Sequence, residues 1–301
     1  MLRFLPGPFK LVISFLWAGL STLLIGLTII VLGLFKFLIP IPASQRFVSR
    51  IANTVFRGWA YAMSFMFRLS YPVKWQVEGD LPNNPEGWYL ILSNHLSWVD
   101  ILVMMHLSRA DLPMPRFFLK QELFWVPVVG IGCWVLDMPF MKRYSKEQIA
   151  KRPELQGKDI ETTREKCEKF RHIPTTVINF CEGTRLTPVK HEQKKSPYRH
   201  LLPPKAGGTS FTLQAMGEQF QEVLDVTMIY PGYKAGDPIV GPLLRGELKE
   251  VYVHIDRIPV TPDLRGDYFN DPEFREHFQG WLNERWSLKD QRIENYLNRT
   301  H

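Results

Sequence analysis

The N-terminal part of the chain contains a stretch of 25 residues, 11–35, without a single charged side chain. As a helix it is expected to be about 37 Å long, which exceeds the roughly 30 Å hydrocarbon core of a bilayer. Secretory signal peptides have shorter apolar cores, of about 7–15 residues, followed by a small-residue cleavage site. The stretch therefore predicts a helix that is retained and that crosses the membrane or inserts deeply into it.

Basic residues flank this stretch, and more of them follow it than precede it: Arg3 and Lys10 come before, and Lys36, Arg46, Arg50, Arg57 and Arg68 come after. The positive-inside bias predicts that the chain after the stretch lies in the cytoplasm, with the protein in the inner (cytoplasmic) membrane. Residues 43–69 place apolar side chains at every fourth position, which predicts a second helix. That helix either lies in the membrane interface or packs against a protein core. Residues 1–70 are thus expected to anchor the protein to a membrane.

The remaining residues, 71–301, are expected to form a domain of short strands and helices. Apolar or β-branched runs predict strands at residues 75–78, 88–92, 116–119, 135–141, 175–181, 223–230 and 248–254. Helices are predicted after residue 97 and at residues 159–171, 206–216 and 271–297. Such alternation predicts an α/β fold with a mainly parallel sheet flanked by helices, followed by a C-terminal helical segment.

The formal net charge of +7 suits an anionic membrane surface, an anionic substrate or nucleic acid. The three cysteines are odd in number and widely spaced, so no disulfide framework or zinc knuckle is expected. The histidines form no cluster with carboxylates at metal-ligand spacing. Neither a metal nor any other cofactor is expected.

The segment NHLSWVD, residues 94–100, follows the predicted strand 88–92 directly. His95 is then expected just beyond the carboxyl end of a strand, where open α/β sheets hold their functional groups. Ser97 can cap the following helix, which places Asp100 in its first turns. A carboxylate there can hold one ring nitrogen of His95 and leave the other free to act as a base.

A second polar segment, EGTR at residues 182–185, follows the predicted strand 175–181. Gly183 permits close backbone approach. Arg185 offers a planar guanidinium that suits a phosphate, and Glu182 can orient that arginine or a substrate hydroxyl. The same four residues also suit an ordinary salt-bridged turn.

The two segments together resemble the glycerophospholipid acyltransferase family, and in particular the lysophosphatidic acid acyltransferases. Further blocks follow the family's order: FLKQE at 118–122 with FMKR at 140–143, and VTMIYP at 226–231. Residues 199–207 are similar to a stretch in the subgroup that includes the lysocardiolipin acyltransferases. The resemblance covers roughly residues 75–231.

The resemblance implies transfer of a fatty acyl group from acyl-CoA or acyl carrier protein to the free hydroxyl of a lysophospholipid, with lysophosphatidic acid as the expected acceptor and phosphatidic acid as the product. His95 is then the general base, and Asp100 fixes its tautomer. Backbone amides near Gly183, or at the helix start after His95, are candidate donors to the oxyanion. The residues expected to contact the substrate phosphate are Glu182, Gly183, Thr184, Arg185, Lys120, Arg143 and Lys205.

Two other functions stay open on the sequence alone. A thioesterase or lipid hydrolase could use the same His–Asp pair with water as the acceptor and would need no phosphate contact. A non-enzymatic membrane scaffold could use the basic loop that carries Lys190, Lys194, Lys195 and Arg199. That loop does not interleave aromatic and basic residues as single-strand binders do, so no nucleic-acid partner is expected.

Overall fold

The computed structural model describes residues 2, 4–70, 73–117, 119–126, 129–138, 140–141, 152 and 173–299. The described α-helices are α1 (Gly7–Leu38), α2 (Pro42–Ser70), α3 (Val99–Asp111), α4 (Val129–Val135), α5 (Pro188–Gln193), α6 (Ala206–Met216), α7 (Val240–Arg245) and α8 (Pro272–Arg299). The described strands are β1 (Lys74–Glu78), β2 (Trp88–Ser93), β3 (Pro115–Phe117), β4 (Leu119–Lys120), β5 (Phe140–Met141), β6 (Thr175–Phe180), β7 (Glu222–Ile229) and β8 (Glu250–Pro259). Gln121–Trp125 and Pro262–Leu264 form short 3-10 helices.

Six of these strands form one sheet, in the order β1-β8-β7-β2-β6-β3. Neighbouring strands run parallel, except that β7 and β8 are antiparallel. The expected α/β fold is confirmed, and the β7–β8 pair makes its sheet mixed rather than wholly parallel. β4 and β5 pair with each other in a separate small sheet.

Helices cover both faces of the sheet, which explains why β2 in its middle is apolar along almost its whole length. On one face, α6 and α8 pack through the fully buried Leu213 and Trp286. On the other face, α2, α3 and α7 contribute Phe67, Val103 and Leu243 to a second apolar cluster. The sheet is therefore the middle layer of three in the described part of the chain, and ligands are expected at its strand ends.

The N-terminal helices α1 and α2 form an antiparallel pair. The Trp17 indole donates a hydrogen bond to the Ala62 carbonyl, and the Trp59 indole donates one to the Thr22 hydroxyl, both at 3.0 Å. By length and composition α1 could cross a membrane. The predicted apolar segment 11–35 lies inside it.

Both ends of α1 contact the α/β domain. Near its start, the position of a Cβ on Gly7 is 3.7 Å from the Cβ of Arg245 at the end of α7. Near its end, the buried Lys36 forms a 2.6 Å ion pair with Asp137, and Ser49 of α2 donates a hydrogen bond to the same carboxylate. The helix therefore lies along the domain and exposes a continuous apolar side, which includes Phe15, Leu16, Leu20, Leu23, Leu27 and Val31.

The second helix meets protein on one side and is exposed on the other. Ala52, Met63 and Phe67 are buried, whereas Phe47 and Phe65 are exposed. Of the two alternatives that the sequence left open for residues 43–69, packing against the core accounts for the buried side.

The predicted strand at residues 135–141 is wrong in most of its length. α4 continues through Val135, and Asp137 then takes a left-handed conformation with a φ of 56°, which interrupts any extended run. Among the described residues of this segment, Phe140–Met141 form a strand. The predicted strand 116–119 is divided between β3 and β4, and the predicted helix 159–171 lies outside the described residues.

Candidate active site

The two polar segments meet at the carboxyl ends of neighbouring strands. β2 lies between β6 and β7, and Ser93 at its end is paired with Phe180 on one side and Val226 on the other. The residues that follow β2, β6 and β7 therefore emerge at the same edge of the sheet. This is the place where parallel α/β sheets bind their ligands.

The His95 side chain is held by the Asp100 carboxylate. Nδ1 of His95 lies 2.7 Å from Oδ2 of Asp100. Because a carboxylate can only accept, Nδ1 carries the proton and the lone pair is on Nε2. No described residue forms a hydrogen bond with Nε2, and 14% of the His95 side chain is exposed. The imidazole thus has the tautomer and the access that a general base needs.

Asp100 is fully buried and accepts three further hydrogen bonds. The backbone N–H groups of Leu96 and Ser97 donate to Oδ2 at 2.6 and 3.0 Å. The hydroxyl of Tyr230 donates to Oδ1 at 2.7 Å. Burial, together with the adjacent Asp100, raises the pKa of Tyr230 well above its ordinary value, so this hydroxyl keeps its proton. The carboxylate is fixed on both of its oxygens.

The turn before the helix is itself fixed by two residues of the motif. Asp100 lies in the first turn of α3, as predicted, and the Ser97 hydroxyl accepts a hydrogen bond from the Val99 N–H at 3.3 Å. The buried Asn94 side chain donates to the Met228 carbonyl at 2.9 Å and accepts from the Met228 N–H at 2.8 Å. Asn94 therefore continues the pairing of β2 with β7 and sets where His95 leaves the sheet.

The His95 ring also joins the two motifs. It stacks on Phe180, the last residue of β6, with ring centroids 4.1 Å apart. The carbonyl of His95 accepts a hydrogen bond from the Leu186 N–H at 2.8 Å, directly after the EGTR segment. Arg185 lies on this same side, with its guanidinium carbon 4.9 Å from the ring centroid of the exposed Trp98. The structure thus brings His95, Asp100 and Arg185 together.

Glu182 is placed differently from the expectation. Its carboxyl group is fully buried, and neither oxygen has a hydrogen bond of normal geometry in the described structure. Burial raises the pKa of Glu182 to about 8. No salt bridge joins Glu182 to Arg185 in the described structure, because the Glu182 side chain is buried while Arg185 lies over Trp98. Contact of Glu182 with a substrate hydroxyl or phosphate stays a prediction.

The turn after Glu182 is made by Gly183, whose φ of 67° favours glycine. Lys205 lies beside it: Lys205 Nζ is 3.5 Å from the position that a Cβ on Gly183 would take. Thr184 accepts a hydrogen bond from the Lys190 ammonium group at 2.7 Å. Lys194 donates to the Glu182 carbonyl at 3.4 Å. From the sequence alone, Lys190 and Lys194 were assigned only to a basic loop. Their position, five and nine residues after Arg185, is the sequence feature that could have indicated their contact with the EGTR turn.

Two predicted phosphate contacts stay predictions. Lys120 belongs to β4 of the small sheet, where the structure describes its backbone, and Arg143 lies outside the described residues.

Three of the backbone amides expected to stabilise the oxyanion already donate hydrogen bonds within the protein. Those of Leu96 and Ser97 donate to Asp100, and that of Gly183 donates to the Phe180 carbonyl at 2.9 Å. That expectation is therefore wrong for these three groups.

Comparison with known proteins agrees with the motifs. A family model described as Acyltransferase matches residues 74–231, which is 158 of the 301 residues. The chain belongs to the Acyltransferase family. This match confirms the resemblance drawn from the motifs and includes all of the predicted site residues.

Individual relatives are more distant. The chain is 26% identical over 266 residues to the 1-acyl-sn-glycerol-3-phosphate acyltransferase epsilon of Mus musculus, which covers 81% of this chain and 67% of that protein. It is 25% identical over 245 residues to the 2-acyl-1-lysophosphatidylinositol acyltransferase of Saccharomyces cerevisiae, covering 69% and 61%. It is 24% identical over 219 residues to the human 1-acyl-sn-glycerol-3-phosphate acyltransferase delta, covering 69% and 52%.

The chain thus spans between about half and two thirds of the length of these curated relatives. Among solved structures, the crystal structure of the 1-acyl-sn-glycerophosphate (LPA) acyltransferase from Thermotoga maritima aligns with a TM-score of 0.46 and 18% sequence identity. The alignment covers 91% of this chain and 97% of that chain.

Proposed function

We propose that this protein transfers a fatty acyl group from a thioester donor to the free hydroxyl of a lysophospholipid, with lysophosphatidic acid as acceptor and phosphatidic acid as product. The observation that carries the proposal is the geometry of His95. Its Nδ1 proton is held by Asp100 and its Nε2 is open, at the sheet edge where Arg185 also lies. Membership of the Acyltransferase family supports the same reaction class.

In this proposal, Nε2 of His95 takes the proton from the acceptor hydroxyl as its oxygen attacks the thioester carbonyl. A carbon–oxygen bond forms while the carbonyl electrons move onto oxygen. The Asp100 carboxylate stabilises the imidazolium that results, without itself taking the proton. Collapse of the tetrahedral intermediate breaks the carbon–sulfur bond. The imidazolium returns its proton to the departing sulfur, which leaves as a free thiol.

Arg185 is proposed to bind the phosphate of the acceptor. Its planar guanidinium matches phosphate oxygens in a bidentate arrangement. Stacking on Trp98 limits its freedom, so less conformational entropy is lost when the phosphate binds. A bound phosphate at Arg185 then directs the glycerol hydroxyl towards His95. Thr184, Lys120, Arg143 and Lys205 remain proposed contacts of substrate phosphate groups.

The exposed apolar side of α1 and the aromatic side of α2 are proposed to hold the protein at a membrane surface. Because both ends of α1 contact the α/β domain, the packing favours a helix that lies along the membrane over one that crosses it. The cytoplasmic orientation remains a prediction from the distribution of basic residues. Membrane attachment raises the effective concentration of two substrates that themselves partition into lipid.

A lysolipid panel tests the reaction and the acceptor together. Purified protein in detergent micelles is incubated with oleoyl-CoA alone and with lysophospholipids of different head groups, and products are identified by mass spectrometry. We expect phosphatidic acid with lysophosphatidic acid, and little free oleate without an acceptor. Free oleate at the same rate with and without acceptor would replace the proposal by thioester hydrolysis.

A further inference from the structure

Three lysine side chains converge on the four residues of the EGTR turn, 182–185. Lys194 Nζ donates to the Glu182 carbonyl, Lys205 Nζ lies alongside Gly183, and Lys190 Nζ donates to the Thr184 hydroxyl and to the Arg185 carbonyl. They come from different places in the chain: the helix α5, the residue after it, and the residue before α6. The fold therefore assembles an ammonium cluster, Lys190–Lys194–Lys205, that the sequence does not show as a unit.

The positive charge of this cluster is not balanced within the described structure. None of the three lysines forms a salt bridge with any described carboxylate, and neither does Arg185. The Glu182 side chain is buried, forms no salt bridge with the cluster, and has a pKa that burial raises to about 8. Burial and the neighbouring charges of Lys205 and Lys190 lower the pKa of Lys194, and Glu182 offsets part of that lowering.

One monoester phosphate does not account for all of this charge. The phosphate of a lysophospholipid such as lysophosphatidic acid carries about two negative charges near neutral pH. Arg185, on the Trp98 side of the turn, and one further cation balance it. At least two ammonium groups are left over, which is the complement of a second ligand that carries more than one phosphate.

We propose that Lys190, Lys194 and Lys205 form a phosphoryl-binding subsite, separate from Arg185, that takes the nucleotide phosphates of a coenzyme A thioester. This inference rests on the proposed function, since it assigns the donor for that reaction. Coenzyme A carries a diphosphate and a ribose phosphate, about four negative charges together near neutral pH, so three ammonium groups would neutralise most of its charge. Its pantetheine arm would extend from this subsite towards His95. The two lie close together, because the Leu186 N–H, directly after the EGTR turn, donates a hydrogen bond to the His95 carbonyl.

The test compares two double variants that remove the same charge. Lys190→Gln with Lys194→Gln removes two cluster lysines. Lys195→Gln with Lys249→Gln removes two exposed lysines that form no described salt bridge, one of them next to Lys194. The first readout is the dissociation constant of coenzyme A for the full-length protein in micelles, measured by calorimetry. We expect it to rise about tenfold or more in the cluster variant and to stay within about twofold in the control.

The second readout separates the sources of the phosphate. KM is measured with oleoyl-CoA, with oleoyl-pantetheine, which lacks the nucleotide, and with lysophosphatidic acid as the varied substrate. We expect the cluster variant to raise KM for oleoyl-CoA only. Since Lys190 also supports the turn, Lys194→Gln alone, which removes one 3.4 Å hydrogen bond, is expected to weaken coenzyme A binding about threefold without unfolding the protein.

Three results would overturn the assignment: unchanged coenzyme A binding in the cluster variant, an equal loss in both double variants, or a raised KM for lysophosphatidic acid with coenzyme A binding intact. The last result would give the cluster to the acceptor head group. Failure of the proposed function is distinguishable, because wild-type protein that binds coenzyme A but acylates no lysolipid would contradict the reaction and leave the subsite standing.

Discussion

Removing the hydroxyl of Tyr230 isolates one of the four hydrogen bonds that fix the Asp100 carboxylate. Tyr230→Phe keeps the ring in its buried position, so no cavity is created. The variant leaves Oδ1 of Asp100 without the donor that now lies 2.7 Å away, while the bonds to Oδ2 from His95 and from two backbone amides remain. The change therefore tests how much the second oxygen matters to the site.

The size of the effect follows from burial. Asp100 is fully buried, so water cannot replace the lost donor. A hydrogen bond to a charged group contributes about 1.5–3 kcal/mol, and we expect the free energy of unfolding to fall by about that amount. Because the bond between His95 and Oδ2 is untouched, kcat for acyl transfer is expected to fall by less than about tenfold, or about 1.4 kcal/mol of activation free energy.

Urea denaturation of the purified protein in micelles measures the stability, and steady-state acyl transfer measures kcat. Tyr233→Phe serves as the control, because that hydroxyl has no hydrogen bond to a described residue; we expect a change within about 0.5 kcal/mol. Equal stabilities of the two variants would refute the hydrogen-bond argument. A loss of kcat in Tyr230→Phe as large as that of a His95 variant would refute the claim that Oδ2 alone orients the imidazole.

Three further predictions concern the groups around the site and the helix α1. Glu182→Gln is expected to flatten the dependence of stability on pH, because glutamine cannot titrate. The wild-type carboxyl group has a pKa of about 8 in the folded state and an ordinary value of 4.5, so the folded state holds the extra proton and wild-type stability falls as pH rises from about 4.5 to 8. The same pH dependence of stability in urea denaturation of both proteins would contradict this. Lys36→Met is expected to lower the free energy of unfolding by about 3–5 kcal/mol, because it leaves Asp137 without its cation. Adding Asp137→Asn is expected to recover part of that loss. A double variant no more stable than Lys36→Met would exclude the ion pair as the cause. Gly183→Ala is expected to lower the free energy of unfolding by about 1–2 kcal/mol, because Gly183 has a positive φ. Gly58→Ala in α2, where an added Cβ meets no atom within 4 Å, is expected to be neutral or stabilising. Equal changes in the denaturation curves of the two variants would contradict the conformational argument.

Local patterns predicted the elements that carry the motifs. The helix 206–216 was predicted with the bounds of α6, and the strands before His95 and Glu182 end within one residue of the predicted positions. These elements follow from periodicity and turn residues close in sequence. The strand predicted at 135–141 failed because one residue, Asp137, takes a left-handed conformation that no apolar run reveals.

Contacts between distant parts of the chain could not be read in the same way. Tyr230 reaches Asp100 across 130 positions, and the Asn94 side chain reaches Met228 across 134. The antiparallel pairing of β8 with β7 is likewise not visible in the local sequence pattern, because an apolar alternation does not show the direction in which a strand runs. The burial of Glu182 could not be predicted either: the sequence shows an acid three residues before Arg185 in the same turn, and the fold shows that its side chain is buried.

The role of His95 is tested by the turnover number of purified His95→Ala with oleoyl-CoA and lysophosphatidic acid, compared with wild type in the same micelles. Loss of a positioned general base lowers a rate by about 10²–10⁴-fold, and we expect a loss in that range with an unchanged unfolding curve and unchanged binding to vesicles. A turnover number within about tenfold of wild type would remove His95 as the base and, with it, the mechanism proposed for this site.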